Sequence, residues 1–152
     1  MKLAEALLER KDLKTKVDNL RARAVQSALV QEGDVPAEAP TELLREMNEA
    51  IEQLGVLIRR INATNNATQL PNGTTISDAI VQRDMLELQR LALDVVLNKA
   101  AVRQERFARN EIKFVPTIDV AAMRRESDAV AQARRELDTQ IQAMNWSADL
   151  VE

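Results

Sequence analysis

Apolar residues recur along this chain at alternating steps of three and four, the spacing that places them on one stripe of an α-helix. The pattern predicts four long helices, which cover about residues 2–29, 41–69, 76–107 and 119–144. Segments containing Gly, Pro and Asn separate them, at about residues 31–40, 70–75 and 108–118. We therefore expect one all-α domain over residues 1–152, a long antiparallel four-helix bundle made of two helical hairpins.

In three of these helices the apolar stripe forms a single heptad seam, as in a coiled coil, with a few polar interruptions. The seam of the first helix consists of Leu3, Ala6, Arg10, Leu13, Val17, Leu20, Ala24 and Ser27. That of the second consists of Leu44, Met47, Ile51, Leu54, Ile58, Ile61, Asn65 and Thr68. That of the fourth consists of Val120, Met123, Ser127, Val130, Arg134, Leu137, Ile141 and Met144.

The third helix carries two apolar faces and a charged stripe. One face consists of Val81, Met85, Leu88, Ala92 and Val95, and the other of Leu86, Leu93, Leu97 and Ala100. The charged stripe consists of Arg83, Glu87, Arg90 and Asp94, at spacings that allow ion pairs within the helix. A helix that is apolar over most of its circumference is buried on more than one side. The third helix is therefore either central in the bundle or part of a subunit interface. We assign its second face to an interface and expect a homo-oligomer, a dimer or larger.

Features at the helix ends give three finer expectations. Thr41 is the expected N-cap of the second helix, and Trp146 is expected to plug the bundle just after the fourth. Ile112, Phe114 and Ile118 alternate with polar residues around a proline, which indicates a short extended segment. This segment is expected to pair with residues 29–31 as a small two-stranded ribbon.

Composition excludes several kinds of chemistry. The chain has neither cysteine nor histidine, so thiol nucleophiles, histidine bases and most transition-metal sites are ruled out. A net charge of −3 provides no general attraction for nucleic acid or anionic membrane. No stretch approaches the roughly 18 apolar residues of a membrane span, and charges interrupt the first turns. We expect a cytoplasmic protein without a cofactor, a bound metal or a membrane partner.

Polar residues in or beside the predicted seams fall at similar heights in an antiparallel bundle: Arg10, Asn62, Asn65, Asp84, Glu87 and Arg134. Because buried charges need partners, we expect Asp84 to pair with Arg134 or Arg10. Two interpretations remain open. The layer fixes helix register, or its two arginines bind a phosphate or carboxylate group.

Two charged clusters have ordinary structural interpretations. Glu42, Glu46, Glu49 and Glu52, with Asp84 and Glu87 of the third helix, resemble the helical carboxylates around magnesium in all-α nucleotide pyrophosphatases. The phase of the second helix places Glu46, Glu49 and Glu52 on the solvent side, so an enzymatic role depends on Asp84 and Glu87. A basic cluster lies at the end of the third helix and the start of the fourth: Lys99, Arg103, Arg106, Arg109, Lys113, Arg124 and Arg125. Its functional interpretation is nucleic-acid binding. Cations at a helix C-terminus are expected from the helix dipole.

Four segments, VQEGDVPAEAP, LIRRINATNNAT, EIKFVPTIDVAAMRRESD and ELDTQIQAMNW, together resemble a bacterial family labelled septicolysin-like. The resemblance implies a helical fold and a bacterial origin, and it carries no activity or functional residue. Taken together, the sequence favours a non-enzymatic structural or interaction protein that forms a homo-oligomeric helical bundle. The alternative is a small-anion or nucleotide-binding or processing protein with a polar site near Asp84 and Arg134.

Overall fold

A computed structural model describes residues 1–101 and 114–152. These residues form four helices: α1 (Leu3–Ser27), α2 (Pro40–Ala67), α3 (Ile76–Ala100) and α4 (Val120–Ser147). Over the same residues there is no strand, only two isolated bridges, Lys2 with Asp149 and Gln69 with Thr75. The fold is all-helical, in agreement with the expected helical bundle. No described helix has both the length and the apolar character that a membrane crossing requires.

The chain divides into two compact units. Unit 1 comprises Met1–Ile76 and Gln142–Glu152, and unit 2 comprises Ser77–Ile141. In unit 1, α1 packs on α2 through a cluster formed by Leu20, Ala24, Leu43 and Met47. The link from α2 to α3 is a tight turn, as its Asn-Gly sequence predicts. Gly73 has a φ of +84°, and the Asn72 side chain accepts a hydrogen bond from Thr74 N at 3.0 Å.

The predicted seams of α1 and α4 are the stripes that the structure buries. In α1 the buried seam residues are Leu3, Ala6, Leu20, Ala24 and Ser27, and in α4 they are Ser127, Val130, Leu137 and Ile141. Arg10 is the exception, because its side chain is exposed to solvent.

The buried stripe of α2 lies one residue away from the predicted one. It contains Leu43, Ala50, Leu57, Ile61 and Thr64, whereas Leu44, Ile51 and Ile58 are exposed. The sequence holds two adjacent apolar stripes here, and periodicity does not decide which of them faces α1. The small side chain of Ala50, only 1% exposed, occupies the covered stripe.

The two apolar faces of α3 also differ from expectation. Leu97 is buried, and Leu86, Leu93 and Ala100 are half-buried within the single chain. The opposite face, from Val81 to Val95, is the exposed one. Of the residues assigned to a subunit interface, the single chain therefore covers Leu97 and partly covers Leu86, Leu93 and Ala100.

Three expectations about the helix ends are wrong. No strand forms at residues 29–31 or 114–118. Asp34 N donates to Gln31 O in a turn, and Pro116 has no N–H with which to pair. Ile112 lies outside the described residues. The N-cap of α2 is Ala39, two residues before Thr41, and Pro40 occupies the first helical position. Trp146 lies inside α4 and is 60% exposed, so it plugs nothing.

Candidate functional site

Three of the four residues in the charged stripe of α3 are held together by ion pairs to Arg90. Arg90 donates to Glu87 Oε1 at 2.8 Å and to Asp94 Oδ2 at 2.5 Å. Glu87 lies three residues before Arg90 and Asp94 four residues after it, so both carboxylates stand on the same side of the helix. The predicted pairing within this stripe is confirmed for Glu87, Arg90 and Asp94, whereas Arg83 pairs outside the stripe with Asp84 and Asp138.

The stripe continues across to α4 within unit 2. Ser127 Oγ donates to Asp94 Oδ1 at 2.9 Å, and Arg83 Nη1 donates to Asp138 Oδ1 at 3.1 Å. Between these contacts, Arg134 Nε lies 2.8 Å from Glu87 Oε2. The Arg134 Nε atom is buried and its N–H is not aligned for a hydrogen bond, so this contact is an ion pair only.

Two neighbouring groups of contacting residues together make up what we call the polar seam: Arg83, Asp84 and Asp138 in one, and Glu87, Arg90, Asp94, Ser127 and Arg134 in the other. Its pKa values move in the directions that mutual pairing predicts. The hydrogen bond from Arg90 holds the pKa of Glu87 below its usual value, and the charge of Arg134 adds to this effect. Hydrogen bonds to carboxylates raise the pKa values of Arg83 and Arg90. All three arginines of the seam face carboxylates, so the seam offers no uncompensated positive charge to an anion.

The six predicted layer residues divide between the two units. In unit 1, Arg10 and Asn62 are exposed and Asn65 is half-buried. In unit 2, Glu87 meets Arg134, whereas Asp84 contacts its neighbour Arg83 at 2.8 Å instead of Arg134 or Arg10.

The sequence did not predict the contacts between α3 and α4 that involve Asp94, Ser127 and Asp138. Ser127 carried a usable signal, because a polar residue in an apolar heptad stripe needs a hydrogen-bonding partner on the facing helix.

The acidic run of α2 pairs locally and faces solvent. Arg45 bridges Glu42 at 3.0 Å and Glu49 at 2.6 Å, and all three side chains are more than half exposed. Among the described residues, no group of three carboxylates is placed to hold a metal ion. An open groove of about 540 Å³ in unit 1 includes Glu49, Glu52 and Arg60 along its walls.

The basic cluster is described only in part. Lys99, Arg124 and Arg125 are exposed to solvent. Arg103, Arg106, Arg109 and Lys113 lie outside the described residues.

A second polar junction, in unit 1, was not expected from the sequence. Thr64 is fully buried; its hydroxyl donates to Arg60 O at 2.8 Å and accepts from Val151 N at 3.0 Å. Arg60 Nε in turn donates to Val151 O at 2.9 Å. Beside this contact, Lys2 Nζ lies 2.8 Å from Asp149 Oδ1, and Leu150 N donates to Met1 O at 2.9 Å. The C-terminal segment is thus tied both to α2 and to the residues that precede α1.

These features define an all-helical protein with two compact units and an internally compensated polar seam. The chain belongs to a family of unknown function, DUF6847, whose model matches residues 10–150. This match corrects the resemblance to the septicolysin-like family, which none of the comparisons supports.

The fold has an experimental counterpart. The chain is similar to a protein from Corynebacterium diphtheriae whose crystal structure is described as that of a functionally unknown conserved protein. The two are 39% identical, the similarity covers 99% of each chain, and the TM-score is 0.92. No curated protein is significantly similar to the chain.

Proposed function

We propose that this chain is a non-enzymatic interaction protein of the cytoplasm that assembles with further copies of itself into a helical bundle. The observation that carries the proposal is the exposed apolar face of α3. Val81, Met85, Leu88 and Val95 are 58%, 54%, 61% and 69% exposed. With Ala92, they follow the alternating spacing with which the helices of a coiled coil pack on one another. We call these five residues the α3 outer face.

Leaving this face in water is costly. Each large apolar side chain that moves from water into an apolar contact contributes about 1.5–3 kcal/mol when it is fully buried. Leu91 and Val96, both close to half exposed, widen the stripe on either side. Contiguous apolar patches of this kind mark interaction sites, whereas single exposed apolar residues do not.

The proposal includes an antiparallel arrangement within each unit. In unit 2 the contacts of Arg83 with Asp138, Glu87 with Arg134 and Asp94 with Ser127 support it, since position numbers rise along α3 as they fall along α4. In unit 1, Leu20 and Ala24 cluster with Leu43 and Met47 at the end nearest the connecting loop. The polar seam then fixes the register of α3 on α4, since sliding either helix by one turn would separate both ion pairs between the helices, Arg83 with Asp138 and Glu87 with Arg134.

The alternative, a small-anion or nucleotide-binding site near Asp84 and Arg134, has less support. Arg134 lies 2.8 Å from Glu87, and Asp84 is paired with Arg83. An anion would have to displace a carboxylate from the arginine before it could bind.

Light scattering coupled to size-exclusion chromatography tests the assembly. We expect the wild-type chain to elute at the mass of a dimer or larger species. Leu88→Glu places a charge in the middle of the α3 outer face and should give a monomer with unchanged helical circular dichroism. The matched control is Leu8→Glu, since Leu8 is 56% exposed on α1 and should tolerate the charge without change in mass.

Wild-type protein that remains monomeric at high concentration would overturn the proposal. Equal effects of the two glutamate variants would show that the α3 outer face is not the site of assembly. Native mass spectrometry of the same samples tests the alternative, since a bound anion or nucleotide would add mass to the chain. Cell fractionation tests the cytoplasmic location.

A further inference from the structure

The α3 outer face has a symmetry that indicates how two copies would meet. Val81 and Val95 lie seven residues before and after Leu88, and Met85 and Ala92 lie three residues before and four residues after it. All five side chains are exposed. The face therefore presents apolar side chains at nearly the same heights when the helix direction is reversed about Leu88.

Such symmetry suits an isologous contact. A two-fold axis perpendicular to a helix brings each residue opposite the residue equally far on the other side of the centre. On this face it would place Val81 against Val95 and Met85 against Ala92, with Leu88 of both copies at the axis. Apolar side chains would then meet apolar side chains along the α3 outer face.

The charges at the ends of α3 favour the same orientation. Asp78 lies in the first turn and Lys99 in the last turn, about equally far from Leu88. An antiparallel pair places each aspartate near the lysine of the other copy, whereas a parallel pair places like charges together. The dipoles of two antiparallel helices are opposed, which also favours the antiparallel orientation.

Building on the proposed assembly through the α3 outer face, we infer that α3 of one copy packs antiparallel against α3 of a second copy, about a two-fold axis at Leu88. The partner of this surface is thus a second copy of this chain. The symmetry excludes open-ended growth through this contact, because an isologous contact is complete with two copies.

Site-directed disulfides test the orientation directly, because the natural chain has no cysteine. Val81→Cys and Val95→Cys chains, one of them isotopically labelled, are mixed, allowed to exchange subunits and oxidised, and the products are identified by denaturing mass spectrometry. The antiparallel pair should give mainly the mixed disulfide between positions 81 and 95, since only residues with Cα atoms about 4.4–6.8 Å apart can be bridged. Leu88→Cys is the control, because this position meets itself in either orientation.

Each outcome separates the orientation from the assembly itself. Disulfides joining 81 to 81 and 95 to 95, with Leu88→Cys also linked to itself, would overturn the antiparallel arrangement and keep self-association. A dimer in solution in which Leu88→Cys does not form a disulfide would show that assembly uses another surface. A wild-type chain that is monomeric would overturn the proposed function, and the orientation with it.

Discussion

Thr64 is the residue at which the end of α2 meets the C-terminal segment. Its hydroxyl is fully buried, donates to Arg60 O and accepts from Val151 N. Valine has nearly the same shape as threonine and a similar helix propensity, so Thr64→Val removes the hydrogen bonds and little else. We expect this substitution to lower the free energy of unfolding in urea by about 0.5–1.5 kcal/mol. Hydrogen exchange of the Val151 amide should accelerate.

The control for this prediction is Thr139→Val in α4. The Thr139 hydroxyl makes the same local contact with the carbonyl four residues earlier, Arg135 O at 2.9 Å, but the residue is exposed. Its loss should change stability by less than about 0.5 kcal/mol. Equal effects of the two substitutions would mean that the contact between Thr64 and Val151 contributes nothing of its own.

Glu87 makes unit 2 sensitive to acid. Its folded-state pKa is lowered, first by the hydrogen bond from Arg90 and then by the charge of Arg134. A carboxylate of this kind stabilises the fold above its unfolded pKa, about 4.3, and this contribution disappears as the pH falls through the lower folded pKa. Thermal unfolding should therefore show wild type more stable than Glu87→Gln at neutral pH, with the difference vanishing in acid.

Glu136→Gln is the matched control for acid sensitivity. Glu136 is an exposed residue of α4 that accepts a hydrogen bond from Gln132. As a surface substitution it should change stability by less than about 0.5 kcal/mol. A difference between Glu87→Gln and wild type that persists at low pH would show that the glutamate acts through packing and not through its charge.

At the scale of the helix, the sequence predicted where the helices occur better than it predicted which face of each helix is buried. The α1 and α4 seams were found because each helix has one dominant apolar stripe. In α2 the pairs Leu43–Leu44, Ala50–Ile51 and Leu57–Ile58 create two adjacent stripes, and the more hydrophobic one was chosen. The covered stripe includes Ala50, which a ranking by hydrophobicity alone places second to Ile51. Periodicity gives the existence of a helix, and packing decides its rotation.

The same limit explains which contacts of the polar seam the sequence predicted and which it did not. Alternating charges on α3 predicted the pairs around Arg90, because these depend only on spacing along one helix. The pairs across helices depend on rotation and relative height, so the wrong carboxylate, Asp84, was assigned to Arg134. Arg10 and Asn62 were placed in the same layer by assuming common heights in one bundle, yet both are exposed residues of unit 1.

The rotation of α3 about its own axis can be tested by replacing one leucine on each of its two apolar faces with alanine. Leu97 is 8% exposed and Leu88 is 61% exposed. At protein concentrations low enough to keep the chain dissociated, Leu97→Ala should lower the free energy of unfolding by about 2–5 kcal/mol because it leaves a cavity. Leu88→Ala should lower it by less than about 1 kcal/mol. The reverse order in urea denaturation would mean that the two faces of α3 are exchanged.

At the scale of the whole molecule, assembly and stability are linked by mass action. If the folded state is a dimer, more protein favours the folded chains over the unfolded ones. Each tenfold rise in total concentration then shifts the unfolding equilibrium by about 1.4 kcal/mol. The urea midpoint of the wild-type chain should rise with concentration, as should that of Leu8→Glu, whereas Leu88→Glu should unfold at the same midpoint throughout. Midpoints independent of concentration in all three chains would leave the α3 outer face without a role in stability, because a dimer interface of its length has to contribute to the folded state.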